Sequence, residues 1–106
     1  MSNWDELRKL DRKGPFEMGL SDVYPFVRAN SEAGVAVGYS VLKQGSMTLE
    51  AAHPEIFVVV EGAIEIRSAD KLVNVAKDQA IWFPAGSSHE ITIREGAEVF
   101  YVIVEG

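Results

Sequence analysis

The spacing of hydrophobic and polar positions changes once along this chain. In "NWDELRKLDR", residues 3–12, Trp4, Leu7 and Leu10 recur at three-residue intervals, with Asn3 placed to cap and Glu6 three positions on. That pattern predicts a short N-terminal helix with one apolar stripe, stopped by Gly14-Pro15. Beyond it the period falls to two. "VYPFVRA", "VAVGYSVLK", "SMTLEAA", "EIFVVVE", "AIEIRSA", "KLVNVA", "QAIWFP", "HEITIRE" and "EVFYVIVE" are short apolar or alternating runs punctuated by Gly, Pro, Asp or Ser. Many short strands at even spacing predict an all-β sandwich or barrel.

Two runs fix which side chains share a face. In "AIEIRSA", Ile64 and Ile66 oppose Glu65 and Arg67. In "HEITIR", His89, Ile91 and Ile93 oppose Glu90, Thr92 and Arg94, so His89 points inward wherever the isoleucines do. Pro84 and Gly86, just before, supply a tight turn. By contrast "FVVV" and "VFYVIV" are apolar on both faces. Such strands are covered twice, here by the interior and by either the N-terminal segment or a second subunit. The chain divides into an N-terminal helix and arm over 1–34, packed on a barrel over 35–106, within one domain.

Composition narrows the function classes. One domain is what 106 residues allow, and 47% hydrophobic residues suffice for one core. A net charge of −6 argues against a nucleic-acid partner, which needs a basic stripe. The single basic cluster, Arg8, Lys9, Arg12 and Lys13, is interleaved with Asp5, Glu6 and Asp11 and reads as a salt-bridged surface. Without cysteine there are no disulfides and no thiolate ligands. The early acids in "MSNWDELRKL" do not suit a signal peptide, and no apolar run suits a membrane span. The expected setting is the cytoplasm.

The barrel region resembles the cupins. Their first motif runs approximately G-x5-H-x-H-x(3,4)-E-x6-G and their second G-x5-P-x-G-x2-H-x3-N. "EIFVVVEG" carries the end of the first, with Glu55, six residues and Gly62; "PAGSSH" carries the centre of the second, with Pro84, Gly86 and His89. The resemblance spans about residues 35–104 and implies a double-stranded β-helix, or jelly roll, with a homodimer as the expected assembly. It is similar in particular to compact single-domain cupins with an incomplete first motif, including the ethanolamine-utilisation group. The departures are specific. The H-x-H pair falls on Thr48 and Glu50 with one spacing and on Leu49 and Ala51 with the other; Asp78 and Ile93 replace the second motif's outer Gly and Asn.

The resemblance places a site at Glu55 and His89. If the Thr48 and Glu50 face of its strand turns inward, Glu50 and His53 join them, and Glu50, His53, Glu55 and His89 form a ligand set for a divalent Mn, Fe, Ni or Zn ion. If Leu49 and Ala51 turn inward instead, Glu50 is a solvated carboxylate and His53 an ordinary turn residue. Without metal, Glu55 and His89 remain a catalytic proton-transfer pair. Thr48, Phe57 and Trp82 are expected to line the pocket, Phe57 by parity with Glu55 and Trp82 at the mouth unless it plugs a dimer contact, while Tyr39 and Tyr101 lie on other strands. The expected function is binding of a small molecule inside the barrel, either in a metal-dependent isomerase, lyase or oxygenase or in a non-catalytic sensor or scaffold.

Overall fold

A computed structural model describes residues 9–28 and 33–105. The expected helix over 3–12 falls mostly outside them, and residues 9–12 carry no helix. Every regular element among the described residues is a strand: β1 (Phe16–Met18), β2 (Ser21–Val27), β3 (Val35–Leu42), β4 (Gly45–Ala51), β5 (Glu55–Ser68), β6 (Lys71–Ala76), β7 (Ala80–Phe83), β8 (Ser87–Ile93) and β9 (Ala97–Val104). The arm expected before residue 35 therefore contributes two strands of its own.

All pairings are antiparallel, in the order β1-β2-β3-β9-β5-β8-β4, with β6 and β7 also joined to β5. The long strand β5 belongs to two sheets. Its first half, Glu55 to Gly62, pairs with β7 and β9; its second half, Ala63 to Ser68, pairs with β6 and β8. A register shift between Val59 and Glu61 marks the bend. One strand thereby curls the sheet into two facing layers, which gives a jelly roll.

Period-two alternation decides what lies between the layers. Strand β3 alternates half-buried and buried along its length, and Ile64, Ile66, Ile91 and Ile93 are almost wholly buried, with Phe83, Val59 and Val99. These side chains form one core with Leu42, Phe57 and Val75. The register gives three inward rungs across β3, β9, β5 and β7. The first holds Ala36, Ile103, Glu55 and Phe83; the second Gly38, Tyr101, Phe57 and Ile81; the third Ser40, Val99 and Val59.

The outward rungs of the same strands are apolar too. Tyr24, Tyr39, Phe100, Val58 and Ala80 form one, and Val37, Val102, Ile56 and Trp82 the next. The rings of Tyr39 and Phe100 meet at 5.2 Å, and the guanidinium of Arg12 lies 4.5 Å over the Tyr24 ring. The two-faced apolar character of "FVVV" and "VFYVIV" is thus one face on the core and one on the molecular surface. Among the described residues no helix is long and apolar enough to cross a membrane.

Candidate functional site: a carboxyl in an apolar cavity

Between the inner faces lies a cavity of about 300 Å³, walled by β1, β2, β3, β4, β5 and β9. Most of its wall is hydrocarbon, including Leu42, Leu49 and Val99; its polar groups are Ser21, Ser40, Glu55 and Tyr101. Met18 stands exposed at the rim. Glu55 enters because it begins β5 on the same parity as Phe57 and Val59, and all three are buried. Among the described residues no side chain hydrogen-bonds or ion-pairs with its carboxyl. Burial, which disfavours the charged form, pushes that carboxyl above the ordinary glutamate value.

Tyr101 is the diagonal neighbour of Glu55 on this inner face, one rung along β9. Burial first, and the Glu55 charge second, raise its phenol above the ordinary tyrosine value. The ring reaches the cavity by lying flat across Gly38, its register partner on β3. A Cβ at that position would overlap the phenol oxygen and two ring carbons. Glycine is needed there for space, since any side chain displaces the ring.

His89 also turns inward, on the same face of β8 as Ile91 and Ile93. The turn before it closes through Ser87, whose amide donates to the Pro84 carbonyl at 3.2 Å, while the Gly86 amide donates to the Ala51 carbonyl at 2.7 Å. Gly86 sits at φ +80° with open space around it, so its role is backbone conformation. His89 pairs with Leu49 across the strands and packs against Phe83 at 5.5 Å. Phe83 is in turn the register partner of Glu55 and lies 5.1 Å from Phe57. The two motif residues therefore flank one phenylalanine. Both imidazole nitrogens of His89 are buried with no hydrogen-bond partner among the described residues.

The remaining expected site residues go elsewhere. Met47 and Leu49 pack on the core, so Thr48 and Glu50, one residue out of step, face solvent. The places of the H-x-H pair that turn inward are Leu49 and Ala51. His53 is exposed in the turn between β4 and β5. Trp82 is on the outward rung and 61% exposed, because its strand turns Phe83 inward. Phe57 and Tyr101 both line the cavity.

This donor set does not fit a tightly held divalent ion. Of Glu50, His53, Glu55 and His89, only Glu55 and His89 turn inward, and among the described residues no three His, Asp or Glu side chains converge.

Known proteins can be set beside this geometry. No protein-family model matches the sequence, and no curated protein matches it by sequence. Solved structures do match. Ectoine synthase from P. lautus superimposes with a TM-score of 0.76 at 15% identity, over 86% of this chain and 68% of that one. The EutQ protein of Clostridium difficile gives 0.71 at 20% identity, over 80% of this chain and 69% of that one. A cupin-2 domain protein from Shewanella frigidimarina gives 0.62 at 21% identity, covering 74% and 76%. The fold is that of a cupin. At these identities the likeness is one of fold, and function rests on the site itself.

Proposed function

We propose that this cupin binds a small organic molecule in the cavity between its sheets, with Glu55 as the polar anchor. One observation carries the reading: a buried carboxyl without a side-chain partner stands in a largely apolar cavity of about 300 Å³. A pocket with few polar groups in an apolar wall suits a small ligand. Tyr101 and Ser40 supply hydroxyls that both donate and accept. The ligand's hydrocarbon would lie against Leu42, Leu49 and Val99.

A catalytic form of this function is the second reading. Glu55 holds its proton to higher pH than an ordinary glutamate, and Tyr101 is a neighbouring phenol kept neutral. An acid and a phenol on one wall suit proton transfer, as in an isomerase or lyase. The non-catalytic alternative is a sensor or scaffold using the same cavity. We include in the proposal a homodimer through the apolar outer rungs and a cytoplasmic setting.

The test is a metabolite library screened by thermal shift and ligand-observed NMR, with Leu49→Trp alongside to fill the cavity. Hits that bind the native protein and not the folded Leu49→Trp variant support the reading. Hits equally retained by that variant lie outside the cavity and refute it.

A further inference from the structure

The cavity has a charge character that narrows its ligand. Among its described lining residues there is one carboxyl, Glu55, and no lysine, arginine or histidine. An anionic ligand would meet a like charge and no counter-charge in a desolvated space. The chain as a whole carries −6, so its field also repels anions and attracts cations. Two aromatic rings, Phe57 and Tyr101, share the wall with Glu55, and ring faces favour ammonium groups. Around them lie Leu42, Leu49 and Val99, which match hydrocarbon. The volume, about 300 Å³, is at the small end for ligand sites.

We infer that the ligand is a small organic amine, its ammonium group paired with Glu55 beneath Tyr101 and its short apolar body against the leucines. This rests on the reading of the cavity as a binding site. A neutral alcohol fits the same space and donates a hydrogen bond to the carboxylate, yet it brings no opposite charge. An ammonium ion supplies both the hydrogen bond and the opposite charge. His89 is set apart from this pairing, since it lies behind Phe83 and does not line the cavity.

The experiment uses three probes with one carbon frame: cyclohexylamine, cyclohexanol and cyclohexanecarboxylate, titrated calorimetrically at neutral pH into the native protein, Glu55→Gln and Leu49→Trp. The expected result is amine binding about tenfold or more tighter than alcohol, with no carboxylate binding. In Glu55→Gln the amine's advantage should vanish while alcohol binding persists, and Leu49→Trp should bind none of the three. Alcohol or carboxylate binding as tightly as the amine overturns the ligand class and leaves the cavity a binding site. So does an amine preference that survives in Glu55→Gln. Binding of none of the probes by the native protein overturns the ligand class, whereas retention of amine binding by a folded Leu49→Trp overturns the location in the cavity. The ranking on the native protein is decisive even if a variant does not fold.

Discussion

At the scale of single residues, Glu55 links stability to pH. Folded, its carboxyl keeps a proton to higher pH than in the unfolded chain, where it titrates near 4.5. The native state therefore binds more protons than the unfolded state across that window, and stability falls as pH rises from the ordinary glutamate value through the raised one, then levels off. Glu55→Gln removes the group and should flatten that part of the curve, leaving the variant the more stable of the two at neutral pH. Urea unfolding at several pH values checks this; an unchanged slope would mean that Glu55 is hydrated in solution. His89 offers a second expectation. Its two buried nitrogens lack partners among the described residues, so His89→Leu should leave stability unchanged or raise it by about 1 kcal/mol. A loss larger than that in denaturant titration would reveal a partner of the imidazole. Glu55 and His89 were legible in the sequence because motif spacing and strand parity agreed on them. Tyr101 was not, because its place in the cavity depends on Gly38, a register partner 63 positions away.

At the scale of elements, β4 shows where pattern runs out. "SMTLEAA" alternates, but the alternation reads equally well with either face inward. Pairing settles it: Leu49 opposes His89 and Met47 opposes Ile91, both on the inward face of β8. A one-residue slip would have exchanged Glu50 for Leu49 in the cavity wall. Glu50→Ala should accordingly change stability by less than about 0.5 kcal/mol, as at other exposed strand positions. Leu49→Asp should lose about 2 kcal/mol or more, because it places a charge against the core. Chemical denaturation of the pair compares them directly, and the reverse order would mean that β4 is turned over. The strands themselves were readable nearly throughout, since their apolar parity and turn residues agree. What parity could not give was the passage of β5 from one sheet to the other, which depends on a shift between Val59 and Glu61 inside an unbroken apolar run.

At the scale of the molecule, the proposed homodimer rests on the outer face. Tyr24, Tyr39, Phe100 and Val58 lie in one rung across four strands, with Ile56, Val102 and Trp82 beside them. A contiguous apolar sheet surface of this kind usually meets a partner. Phe100→Glu should therefore convert a dimer to a monomer in sedimentation velocity with the fold intact by circular dichroism, while a native protein that sediments as a monomer would contradict the dimer. The order in which strands become available has another consequence. Val35 pairs with Val104 and Gly45 with Ile93, so these partners are far apart in sequence, and such topologies fold slowly. Strand β9 is the middle of its sheet and brings Val99, Tyr101 and Ile103 to the cavity. During synthesis, strands β3 and β5 must wait on the ribosome without the neighbour that joins them. The cavity is complete only once residues 97–104 have emerged, so the proposed ligand could bind a newly made chain only after that.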